Sequence, residues 1–143
     1  MSDRANISEF SLKLLLRVLG WICVLALFPF FVPRSWLDVG HQFLGLGEFP
    51  RAPIAEYLAR SVCALCAFYG GLLLLLAGDV RRFLSIIRYQ AVAIMSLSAL
   101  GIFAGVRAGV PASFVIGDAI GCWVFLLPIV ILAARITESD SRL

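Results

Sequence analysis

Residues 112–134 read ASFVIGDAIGCWVFLLPIVILAA, an apolar run interrupted by one charge, Asp118. A helix needs about 20 mostly apolar residues to cross a hydrocarbon core of ~30 Å, and this run supplies them. Three further runs of the same kind lie upstream, at about 14–32, 57–77 and 84–106. The sequence therefore predicts an all-α integral membrane bundle of four transmembrane helices. It forms one domain over 1–143, with an outer loop at 33–56.

Composition points the same way. Hydrophobic residues make up 62% of the 143 positions, and the mean hydropathy is +0.99, against about 45–50% apolar residues in ordinary globular domains. The net charge of +3 does not indicate nucleic acid. Its Lys and Arg sit at span ends, and no basic cluster with interleaved aromatics appears. The first apolar run is followed by Arg34, Ser35 and Trp36 rather than a small-x-small cleavage site, so it reads as an uncleaved span.

Lys and Arg also set the expected orientation. With the N-terminus inside, the inner segments hold Arg4, Lys13, Arg17, Arg81, Arg82, Arg88, Arg135 and Arg142, and the outer ones Arg34, Arg51, Arg60 and Arg107. Eight against four favours both termini in the cytoplasm, with the segment from Pro33 to Arg60 facing outside. Met1 to Leu12 is expected to be a polar tail or interfacial turn. Pro29 is expected to bend the first helix and Pro33 to stop it.

The segment from Pro33 to Arg60 is the one long stretch rich in polar groups. Ser35 and Asp38 have capping-box spacing. Trp36, Val39, Gly40, Phe43 and Leu44 share a face, which predicts a short amphipathic helix in the membrane interface, ended by Gly45 and Gly47. Pro53 suits the first position of the next helix, with Glu56 in its first turn. Glu56 and Arg60 are spaced to pair.

Five groups of residues bear on function. Asp118 lies about two turns inside the fourth span, where a carboxylate is costly unless paired, protonated or wet. An ion pair with Arg60 or Arg107 and a proton-handling or ligand-binding role both fit. His41, Glu48, Arg51, Glu56 and Arg60 could border a ligand pocket with Asp118 at the outer end. They match no metal-ligand spacing, and no cofactor motif is present. Gly101 with Gly105 and Gly117 with Gly121 form small-xxx-small pairs on the last two spans. These suit packing of those spans on each other, or dimerisation. Cys63 and Cys66 lie at i,i+3 on the second span, a spacing that permits thiol–disulfide exchange when one thiolate is stabilised.

That CxxC pair on a four-helix chain resembles the membrane thiol oxidoreductases of the DsbB and vitamin K epoxide reductase type. The resemblance implies electron transfer to quinone, although the 33–60 segment lacks their second Cys pair. The run GLGEFPRAPIAEYLAR at 45–60 and the four-span layout resemble the DoxX-like and BphX-like group of small, uncharacterised bacterial inner-membrane proteins. That resemblance implies four helices and a bacterial inner membrane.

The reading expected from the residues is a multi-pass protein of unknown biochemical activity. It would be a non-enzymatic subunit or accessory protein, with the lipid bilayer and a larger membrane complex or homo-oligomer as partners. Small-molecule binding or transport at the outer end is the first alternative, and thiol–quinone chemistry at Cys63 and Cys66 the second.

Overall fold

The computed structural model describes residues 3–140. It is 83% helical, with no strand among the described residues. Among the described residues six helices follow in order: α1 (Asp3–Leu25), α2 (Leu27–Phe31), α3 (Arg34–Phe43), α4 (Pro53–Leu76), α5 (Leu84–Arg107) and α6 (Ala112–Asp140). Four stretches have the length and apolarity to cross a membrane: Asn6–Phe31, Pro53–Leu76, Leu84–Arg107 and Ala112–Thr137. The chain is a helical bundle of the multi-pass membrane type.

The N-terminal segment corrects one expectation. Its polar residues belong to the first turns of α1, which begins at Asp3 rather than near Leu14. Ser8, Leu12 and Leu16 recur every fourth residue and are all buried, so the segment has a helical inner face. Glu9, beside them, accepts a hydrogen bond from Arg81 Nε at 2.6 Å.

Span 1 is interrupted by a single turn residue, Ala26, just before Pro29. Pro29 has no N–H to offer and its ring crowds the carbonyl four residues back. The helix accordingly ends at Leu25, Ala26 donates to the Cys23 carbonyl at 3.1 Å, and α2 restarts at Leu27. Val32 and Pro33 then run extended, with ψ of 151° and 152°.

Contacts sort the chain into two compact units, Met1–Leu19 with Leu73–Leu143 and Gly20–Leu72. Among the described residues, the largest fully buried side chains all belong to the first unit: Leu12, Leu16, Leu73, Val80, Ile87, Ile129 and Ile136. Its turn between α4 and α5 is pinned by Asp79, whose Oδ1 accepts the Arg82 N–H at 3.1 Å. Its α5–α6 hairpin is closed by a Schellman turn. Gly109 takes φ of +81°, its N–H reaches the Val106 carbonyl, and the Val110 N–H reaches that of Gly105. Pro111 then prevents α5 from continuing.

The glycine pairs behave differently from one another. A Cβ on Gly105 would collide with the side chain of Val115 on α6, so this glycine is where the two helices meet. Gly101, Gly117 and Gly121 have no atom within 4 Å of a would-be Cβ, so of the two uses expected of these pairs, packing of α5 on α6 is seen at Gly105 alone. The remaining register comes from Trp123, whose indole N–H reaches Ser98 Oγ at 2.8 Å and the Met95 carbonyl at 3.3 Å.

In the second unit α1 and α4 touch backbone to backbone. A Cβ on Gly70 would stand 2.5 Å from the Gly20 carbonyl oxygen and 2.7 Å from the Val24 nitrogen, whereas Gly71 beside it is open. Backbone cannot move aside as a flexible side-chain tip can. Overpacking of this sort typically costs about 1–3 kcal/mol. Gly70→Ala should lower stability by that amount in thermal unfolding in mild detergent, while Gly71→Ala should leave the midpoint within error.

Candidate functional site

The polar segment folds around two sets of hydrogen bonds, both within the 20–72 unit. The first begins at α2. Helix C-termini leave carbonyls without intrahelical donors, and in an apolar layer each must be satisfied by protein. Pro33, lacking an N–H, cannot help. Arg60 of α4 supplies the donors: its Nη1 binds the Phe30 carbonyl and its Nη2 the Val32 carbonyl at 3.2 Å. The same guanidinium clasps Glu56 Oε1 through Nε at 3.1 Å and Nη2 at 2.8 Å. The expected Glu56–Arg60 pair is therefore present, and its cation also serves as the cap of another helix. No local pattern around Arg60 announces that second role.

Arg34, at the first position of α3, extends the set. Its Nη2 donates to the Pro50 carbonyl at 2.8 Å, its Nη1 stands 3.7 Å from Glu56 Oε2, and it lies 5.8 Å from the Phe49 ring centre. Glu56 thus bridges two arginines. Arg34 is a site residue that the sequence reading missed; its position directly after Pro33, at a helix start, was the available signal.

The second set closes the loop after α3. Asp38 does not cap the helix as its spacing from Ser35 suggested: Pro33 is the N-cap and makes no side-chain bond. Asp38 instead accepts the Phe49 N–H at 2.8 Å on Oδ1 and the Gln42 amide at 3.2 Å on Oδ2. Gly45, with φ of +73°, forms a second Schellman turn, in which the Leu46 N–H reaches the His41 carbonyl at 3.1 Å. His41 Nδ1 lies 3.0 Å from the Gly47 carbonyl, an acceptor only, so this nitrogen carries the proton. The imidazole meets Phe49 edge-on at 5.5 Å. Phe49 is held by Asp38 at its backbone, with Arg34 and His41 at its ring.

Beside this loop lies an open groove of about 410 Å³, lined by Phe28, Val32, Trp36, Leu37, His41 and Phe49 among others. Its walls are almost wholly apolar, and His41 is its one titratable group. It suits an apolar guest better than a charged one.

The other expected site residues are placed as follows. Glu48 and Arg51 stand 3.9 Å apart and are almost fully solvent-exposed, an arrangement that contributes little. Cys63 and Cys66 are half-buried thiols on α4. No three of His, Cys, Asp and Glu gather into a metal site among the described residues. Asp118 is exposed on α6, in the other unit. No ion pair or hydrogen bond to it is found among the described residues. Arg107, one of its expected partners, lies over the Phe103 ring at 4.9 Å. Arg60, the other, spends its donors on Glu56, Phe30 and Val32. No family model, curated protein or solved structure matches the chain.

Hydrogen bonds to charged groups contribute about 1.5–3 kcal/mol each at most, and removal of Arg60 also strands two carbonyls. Arg60→Ala should destabilise the protein by about 2–4 kcal/mol in detergent unfolding. Arg60→Lys should recover less than half, since an ammonium lacks the planar fork. Asp38→Ala should selectively speed hydrogen exchange at the Phe49 amide and leave the amides of α5 unchanged.

Proposed function

We propose that this protein is a non-enzymatic integral membrane subunit or accessory protein of the bacterial inner membrane, with both termini in the cytoplasm. The observation that carries this reading is the internal use of the polar groups. Arg60, Glu56, Arg34 and Asp38 bind backbone carbonyls, a backbone N–H and one another, as groups that shape a loop do. Catalytic groups, by contrast, are aimed at a cleft and await substrate.

The orientation rests on the excess of Lys and Arg in the inner segments. α3 then lies in the outer interface as an amphipathic helix. Trp36, Val39 and Phe43 support this, since they share one side of α3 and are exposed, Phe43 to 90%. The α2–α3 groove opens beside that layer and favours a second reading, capture of a small apolar molecule. Its apolar lining and single imidazole are what support it.

Native mass spectrometry of the protein released from its own membranes in mild detergent separates the two. The subunit reading expects an assembly containing other polypeptides. A monomer or homo-oligomer that retains a small molecule would overturn it in favour of the groove, and the retained mass would identify the guest's size.

A further inference from the structure

The bonds that fold the loop after α3 converge on two side chains. Asp38 holds the Phe49 N–H, and Arg34 and His41 meet the Phe49 ring. Gly45 and Gly47, with φ of +73° and +81°, turn the chain back so that the Gly47 carbonyl reaches His41 Nδ1. Both residues fixed in this way, His41 and Phe49, are walls of the α2–α3 groove. A wall held in place before a guest arrives spares the cost of ordering it on binding.

The groove has apolar walls and one polar point. Phe28 and Pro29 come from the end of a stretch long and apolar enough to cross a membrane. No Lys, Arg, Asp or Glu is among the lining residues. The charged groups nearby are engaged elsewhere. Arg34 is turned to Pro50 and Glu56, and Asp38 uses both oxygens on Gln42 and Phe49. Glu48 and Arg51 pair in solvent.

The chemistry of the polar point is set by the other imidazole nitrogen. Because Nδ1 donates to a carbonyl, the neutral ring keeps its lone pair on Nε2. That atom lies on the ring edge away from Gly47, and no bond to it is found among the described residues. A water on Nε2 would find few other partners against apolar walls, where ordered waters make about three bonds. An ionised carboxylate, an ether or a carbonyl brings only acceptors and would meet a lone pair. A hydroxyl brings the missing donor.

We propose that the α2–α3 groove binds a neutral amphiphile headed by a hydroxyl, its O–H donated to His41 Nε2 and its apolar body laid against Phe28, Trp36 and Phe49. This rests on the groove reading above, whose guest it defines by head group. A lipid chain without a donor covers the walls and leaves Nε2 unmet.

The test places the full-length protein in phosphatidylcholine nanodiscs with a matched set of brominated probes: bromoundecanol, its methyl ether and bromoundecanoate. Bromine quenches indole fluorescence on contact, and the part of the quenching lost in Trp36→Phe reports the groove. The alcohol should bind about fivefold more tightly than the ether, the scale of one hydrogen bond of about 1 kcal/mol. His41 is the only histidine, so isotope labelling of histidine reads its two nitrogens alone by NMR. The alcohol should move the Nε2 resonance while the proton stays on Nδ1, and the ether should move neither. His41→Asn, whose amide N–H replaces Nδ1 toward Gly47, should bind alcohol and ether equally. Equal binding of the two by the unaltered protein overturns the hydroxyl assignment and leaves the groove reading standing. A preference that survives His41→Asn overturns it as well. Tightest binding of bromoundecanoate overturns it in favour of an anionic guest. Absence of Trp36-dependent quenching by every probe overturns the proposal together with the groove reading.

Discussion

A helix that stops inside or at the edge of an apolar layer must find donors for its last carbonyls, and in this chain the donors come from Arg60. Pro29 breaks span 1, and Pro33 turns the chain without an N–H to contribute. The Phe30 and Val32 carbonyls are left to the guanidinium of α4. Glu56 offsets that cation and draws in Arg34, which in turn holds Pro50. The end of span 1, the start of α3, the loop and the first turns of α4 are thereby joined through one charge network. Its partners are mostly backbone atoms, so the network specifies chain path more than it presents chemistry.

The two units obtain their order differently. The unit of 1–19 with 73–143 has large fully buried aliphatic side chains and a hairpin register set by a glycine and an indole. The unit of 20–72 has few buried side chains and relies on backbone contact at Gly70 and on polar bonds around Arg60 and Asp38. Burial in lipid gives little drive for helix association, because the tails are as apolar as leucine. Close approach and hydrogen bonding must supply it instead.

Much of the fold was legible in the sequence because it follows from run length and punctuation. The four spans, the start of α4 at Pro53 and the ends of α3 and α5 at glycines rest on constraints local to a few residues. The site was less legible, because its bonds link residues far apart in sequence. Arg60 to Phe30 spans 30 positions, and Asp38 to Phe49 spans 11. Local spacing suggested a cap on Ser35 and Asp38, and the longer-range claim of the Phe49 amide won. Spacing also made four glycines look alike. Only Gly105 meets the neighbouring helix, and Gly70, which lies in no i,i+4 pair the reading singled out, makes the closest approach in the other unit.

The Schellman turn after α5 has a consequence for how the chain is assembled as it is made. Four residues lie between Arg107 and Ala112, so bringing α5 and α6 together closes a very small loop and gives up little chain entropy. Contacts this local form early and fast. Once α5 and α6 have been synthesised, this hairpin needs no earlier segment to guide its pairing. The Arg60 network, reaching back across thirty positions, must instead wait until α4 has followed span 1.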